Sequence, residues 1–175
     1  MNQADEKAKR LLDGVQQALG MTPNFMRTLA HSAAALEAHL AFGKALGKGN
    51  LGAKLREQIA LTVANASSCQ YCASAHTALG NKLGLSEAEA KASLDATSED
   101  PKVQAVLRFA RNIVENRGWV SEQAWSDLRQ AGYSDGQVAE IIATVGINLF
   151  TNYFNHIAET EIDFPVVDVA EPAAV

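Results

Sequence analysis

The chain has 175 residues, 47% of them hydrophobic and 20% charged, a composition that supports a single globular domain with a full core. A net charge of -5 with no Lys/Arg cluster argues against a nucleic-acid partner. There is no apolar run long enough to span a bilayer, and the polar start MNQADEKAKR lacks an apolar signal region, so a cytoplasmic protein is expected.

In chain order the sequence reads as helix after helix, with no sustained period-2 alternation. The first helix is predicted from Ala4 to Leu19, stopped by Gly20. Thr22-Pro23 is read as an N-cap and first-turn proline for a second. A third spans about 32–46 and is broken by Gly47-Lys48-Gly49-Asn50. A fourth spans about 52–65 and is apolar nearly all round from Ile59, so it is expected to be buried. Ser67-Ser68 is expected to cap a fifth, carrying Cys69 to Leu83 and closed by Gly84. Ser86 with Glu89 forms a capping box for a short sixth. Pro101 starts a helix ending near Gly118, Ser121 caps another ending at Gly132, and Ser134 starts the longest, to about Ile162. The tail from Pro165 is expected to be irregular. The fold class predicted is all-α, one domain across residues 1–175, with no internal repeat.

The chemistry concentrates in one stretch. The only two cysteines form Cys69-Gln-Tyr-Cys72, His76 follows four residues on, and Glu57 precedes the pair by twelve residues. On a helix, Cys69, Cys72, Ala73, His76, Leu79, Gly80 and Leu83 share one face, and its leucines turn that face inward. Cys69 falls in the first turn, where free N–H groups and the helix dipole favour a thiolate. Glu57 and His76 lie at heights of about 15 and 13 Å above the same turn on two antiparallel helices, so carboxylate and imidazole are expected to meet. Such a pair serves as a proton relay to a thiol.

Two rival readings stand beside this one. Paired cysteines are also small buried hydrophobes. Cys, Cys, His and Glu are all zinc ligands, but three on one helix face spread poorly around a closed tetrahedron, so no metal and no other cofactor is expected. A thioredoxin fold is disfavoured because no βαβ pattern is present.

Glu57 followed by Cys69-x-x-Cys72-x-x-x-His76 resembles the alkylhydroperoxidase AhpD-like branch of the carboxymuconolactone decarboxylase superfamily. The ending Asn152-Tyr153-Phe154-Asn155-His156 through Asp163-Phe164-Pro165 is similar to its peroxidase-related members. The resemblance covers about residues 20–165 and implies an AhpD-like multi-helix bundle. It also implies a homo-oligomer, trimer or hexamer, that reduces hydroperoxides with electrons from a dithiol reductant. By the same resemblance Cys72 is the peroxide-attacking sulfur, Cys69 its resolving partner, and Glu57 with His76 the relay. Tyr71 stands where the best-characterised members carry a second histidine. A phenol is a poor base at neutral pH. The alternatives kept are a non-enzymatic redox-sensing or assembly protein and a carboxymuconolactone decarboxylase-like enzyme.

His31 and His39 are read as structural, and His156 as a core or interface histidine. Trp119 and Trp125 are read as core or interface anchors. Gly146 is read as a point of close helix packing, and the apolar last helix as an oligomer face.

Overall fold

The computed structural model describes residues 3–170, and every described element is helical: α1 Gln3–Leu19, α2 Asn24–Leu29, α3 Ala33–Leu46, α4 Ala53–Ala66, α5 Gln70–Lys82, α6 Glu87–Leu94, α7 Pro101–Glu115, α8 Glu122–Gln130 and α9 Asp135–Ile157. The capping signals at Ser86 and Ser121 are present. Ser86 with Glu89 and Ser134 with Gln137 form reciprocal capping boxes, and Asp100, Ser32 and Ser121 accept first-turn N–H bonds.

The apolar run in the fourth helix has its expected consequence. α4 packs against α5, α6, α7 and α9, and every residue from Gln58 to Ala64 is buried. Its one buried hydroxyl is satisfied, because Thr62 donates to the Ser93 carbonyl on α6 at 2.6 Å. α4 thereby separates two cores. Ile59 and Val63 join Val106, Phe109, Leu128, Ile141 and Val145 from α7, α8 and α9. Leu61 and Ala64 join Phe25, Leu29, Leu36, Tyr71 and both cysteines from α2, α3 and α5. Glu140 on α9 anchors the α3–α4 loop by accepting from the N–H groups of Asn50 and Leu51 at 2.7 and 3.1 Å.

Several expectations are corrected. Ser67-Ser68 does not cap α5: Ser68 is the left-handed turn residue closing α4, at φ 54°, and the Cys69 N–H bonds back to the Ala64 carbonyl at 2.8 Å. Cys69 is itself the residue at the N-cap of α5. Pro23, not Thr22, holds the N-cap of α2. The last helix stops at Ile157, where the left-handed Glu159 lets the Thr160 N–H close on the Asn155 carbonyl at 3.2 Å. Leu83, placed inward by periodicity, is 48% exposed, because α5 ends one residue before it. Trp119 is 86% exposed and anchors nothing within the chain, whereas Trp125 packs edge-on against Phe109 at 5.2 Å. His156 is exposed rather than a core histidine, and Gly146 is exposed, with nothing within 4 Å of where a Cβ would stand, so it makes no close helix contact within the chain. The irregular tail is seen from 165 to 170; residues 171–175 lie outside the described residues. Among the described residues no helix is long and apolar enough to cross a membrane.

Candidate functional site

The two-residue link Ser67-Ser68 folds α5 back against α4, and this antiparallel pairing brings all four sequence-predicted residues together. His76 Nδ1 and Glu57 Oε2 are 2.8 Å apart, and both side chains are about four-fifths buried. Close approach of the helices is eased at Gly80, where a Cβ would sit 2.9 Å from the Leu85 side chain and 3.7 Å from the Glu57 Cβ. Burial alone would lower the His76 pKa, but the charge and hydrogen bond of Glu57 outweigh it and hold the pKa above its usual value. Asn148 on α9 adds to this as a hydrogen-bond partner of the ring.

Both cysteines are buried and reduced. The Cys69 thiol is pulled down chiefly by a hydrogen bond from the Cys72 thiol. Burial opposes that, and the N–H groups of Cys72 and Tyr71, together with the His76 charge, reinforce it. Cys72 is pushed up by the same partnership, by burial and by the charge on Cys69, while Asn155 and Thr151 act the other way. The Asn155 Nδ2 lies 3.3 Å from the Cys72 Sγ. Of the two thiols, Cys69 is therefore the one whose environment favours the thiolate, and Cys72 the one whose environment favours the neutral thiol.

Cys72, His76 and Glu57 line a partly open cavity of about 320 Å³ between α2, α3, α4, α5 and α9, with Leu19, Phe25, Leu46, Leu79, Ile147 and Phe164 among its walls. This volume and predominantly apolar lining suit an organic molecule of modest size. His39, read from sequence as structural, lies on the cavity wall. Burial and then the His76 charge lower its pKa to about 4, so it is neutral at pH 7. Its Nδ1 is buried without a partner, and its ring meets Phe25 edge-on at 5.1 Å.

Sequence reasoning missed the contribution of α9. Thr144, Asn148, Thr151 and Asn155 recur at spacings of four, three and four residues, a polar stripe on the buried side of an otherwise apolar helix. That stripe was the available signal. Asn152, 0% exposed, has neither amide atom partnered, and the Asn155 Oδ1 is also free. Tyr71 proves to be an anchor rather than a base. Its hydroxyl accepts from the Phe25 N–H at 3.0 Å and donates to Asp163 at 2.9 Å, while the other Asp163 oxygen accepts from the Asn24 N–H at 2.8 Å. Burial, with Asp163 beside it, raises the phenol pKa further. Among the described residues no three His, Cys, Asp or Glu side chains are grouped to hold a metal ion.

Fold and site together define an all-helical protein with a buried dithiol beside a carboxylate–imidazole pair. A model of the carboxymuconolactone decarboxylase family matches residues 31–115, the span from α3 to α7. The chain superposes on an alkylhydroperoxidase AhpD core, an uncharacterized peroxidase-related protein from Ralstonia eutropha JMP134. The TM-score is 0.82 at 24% identity, over 90% of this chain and 86% of that one. For an uncharacterized peroxidase-related protein from Silicibacter sp. TM1040 the values are 0.77, 23%, 95% and 88%. For a cysteine-to-alanine variant of the debrominase Bmp8, in complex with 2,3,4-tribromopyrrole, they are 0.79, 20%, 93% and 89%. No curated protein matches the sequence. The match to the family model is confined to residues 31–115, and the similarity to the solved structures establishes the AhpD-like fold.

Proposed function

We propose that the protein is a dithiol peroxidase that reduces organic hydroperoxides at Cys72 and is recharged by an external dithiol. The observation that carries this reading is the Glu57–His76 pair at 2.8 Å, set beside Cys72 on the wall of an apolar cavity. Passing the Cys72 proton to Cys69, its neighbour one helical turn away, makes Cys72 the thiolate. Asn155, Thr151 and the His76 charge then stabilise the new anion. Cys72 attacks the terminal peroxide oxygen, the O–O bond breaks, and Cys72 becomes a sulfenic acid. The leaving alkoxide takes a proton from His76, which Glu57 holds in its charged form. Cys69 then attacks the sulfenic sulfur; the proton it had received leaves with the expelled hydroxide as water, and the disulfide forms.

The test is steady-state consumption of cumene hydroperoxide with dithiothreitol. Replacing His76 by Gln should lower turnover at pH 7 by about 10²–10⁴-fold, the usual cost of losing a general acid–base group. Glu57→Gln should act in the same direction, and the two losses should not add, because the residues work as one unit. A His76→Gln protein as fast as the parent would refute the relay.

A second reading draws on the same parts. An apolar, aromatic-walled cavity with two thiols also suits removal of a halogen from an aromatic ring, the thiol pair supplying two electrons and ending as the disulfide. Bromide release from a brominated pyrrole, without peroxide turnover, would favour it.

The assembly we propose is a homo-oligomer through α9 and α3. Ile142, Phe150, Tyr153 and Ile157 on α9 and Phe42 on α3 are 43–86% exposed, an apolar surface large for a solitary chain. Phe150→Glu with Tyr153→Glu should reduce the mass in solution, read by light scattering, to that of a single 18.7 kDa chain.

A further inference from the structure

The two sulfurs face different spaces. Cys72 lines the cavity with His76 and Glu57, and Cys69 does not. Cys69 forms part of the floor of a separate, shallow recess between the N-terminus of α5 and the C-terminal end of α9, rimmed by Ser68, Gln70, His156, Glu159 and Thr160. Tyr71 and Asn155 border both spaces and form the wall between them. Two left-handed residues, Ser68 and Glu159, where the chain turns after α4 and after α9, lie on the rim of the recess.

We infer that the protein handles its two reactants through separate openings, the oxidising substrate reaching Cys72 through the cavity and the reducing dithiol reaching Cys69 through the recess. The inference rests on the dithiol reading above and adds where, and on which sulfur, the reductant works. Starting from the Cys69–Cys72 disulfide, a thiolate of the reductant attacks the Cys69 sulfur. The protein S–S bond breaks, a mixed disulfide forms on Cys69, and Cys72 departs as a thiolate that takes a proton from His76. The reductant's second thiol, after losing its proton to solvent, attacks its own mixed-disulfide sulfur and expels Cys69 as thiolate. Two electrons have moved from the dithiol to the protein, and the reductant leaves as a cyclic disulfide. Each leaving sulfur is provided for: Cys72 by the proton on His76, Cys69 by the N–H groups at the start of α5. The arrangement lets reductant and oxidant approach without competing for one passage.

The test separates the half-reactions. The disulfide is set with diamide, so its formation does not depend on peroxide. His156→Trp, or Glu159→Arg as a second variant, adds bulk at an exposed position on the rim, with thermal melts run beside each to confirm that it folds. Each should slow reduction by dithiothreitol by roughly tenfold or more, since small displacements of a reacting group cost that much, while oxidation of the dithiol by cumene hydroperoxide stays at the parental rate. Ile147→Trp, which fills the cavity, should do the reverse. In a Cys72→Ser background, adding Ile147→Trp should leave unchanged the rate at which an aromatic disulfide reagent forms its adduct on Cys69. Reduction slowed by Ile147→Trp and not by the rim variants, or by neither, would overturn the inference. Failure of diamide to form the disulfide would instead sink the dithiol reading, and a disulfide formed by diamide but not by peroxide would sink only the peroxidase reading.

Discussion

The two cores flanking α4 are built for different ends. On the α7–α8–α9 side, Phe109, Val106, Leu107, Leu128 and Ile141 are 0% exposed, and the hydrophobic cluster contains one tyrosine, Tyr133, and no cysteine. On the α2–α3–α5 side, aliphatic residues share the space with two thiols and a tyrosine hydroxyl, and α9 adds partnerless amide atoms at Asn152 and Asn155. Buried polar atoms without partners cost about 1–3 kcal/mol each, so the second core gives up stability that the first can supply. The difference shows how one helix carries both tasks: its Ile59 and Val63 consolidate the fold, and Glu57, nearer its start, holds the imidazole.

The largest expected effect breaks the two apart. Cys72→Ser should abolish peroxide consumption yet change stability by only about 1 kcal/mol, roughly 2–4 °C in Tm for a chain of this size. Phe109→Ala should do the opposite. It deletes a fully buried ring at the heart of the first core and should cost about 3–5 kcal/mol, while the folded fraction keeps its peroxide turnover. Thermal melts beside activity per folded molecule read both. Equal loss of activity in the two variants, after correction for folding, would show that the cores are not separable.

That division was only partly legible in the sequence. Helix starts were readable, because a serine or aspartate cap and a capping box are local hydrogen bonds that adjacent residues determine. The buried fourth helix was readable from its unbroken apolar run, and the meeting of Glu57 with His76 from helical rise alone. The helix ends were harder. Ser68 and Glu159 adopt left-handed φ values that glycine usually signals, so the true N-cap at Cys69 and the stop at Ile157 carried no mark. The cavity was invisible for another reason. His39, Phe164 and Asn155 come from segments far apart in sequence, and only packing places them on one wall with Cys72. Tyr71 stands out in the sequence as a departure from the family pattern, but its bond to Asp163, 92 positions away, follows from tertiary structure alone.

An acid titration sharpens the comparison, because the site-bearing core holds the buried histidine. His39 titrates near 4 in the folded chain against about 6.5 when unfolded. Between those values the unfolded chain binds a proton that the folded one does not, so stability falls as pH drops from about 6.5 to 4. The loss is on the order of 3 kcal/mol. His76 has the opposite sign, since its folded pKa is raised: its contribution is fully present below about 6.5 and is lost as pH rises through the folded value. Replacing His39 by Phe removes the acid-side loss. Urea midpoints at pH 7 and pH 4.5 should therefore move closer together in His39→Phe than in the parent. An unchanged difference between the two midpoints would rule out His39 as the source.

The smallest expected effect concerns the border between the cavity and the tail. Tyr71→Phe keeps the ring edge-on to Phe164 at 5.9 Å but removes the hydroxyl shared by the Phe25 N–H and Asp163. The Phe25 N–H, buried under the ring, loses its acceptor. Asp163 keeps the Asn24 N–H and partial access to water, so the cost should fall near the lower end of about 1–3 kcal/mol. Because the lost bonds tie α2 to the segment around Asp163, the disturbance should be local. Amide exchange at Phe25 should quicken, and exchange at Val106 and Phe109 in the other core should change only as global stability does. Faster exchange in both cores to the same degree would mean that the two share one cooperative opening and that α4 does not separate them. Exchange at Phe25 unchanged from the parent would mean that the tyrosine hydroxyl does not hold the first turn of α2.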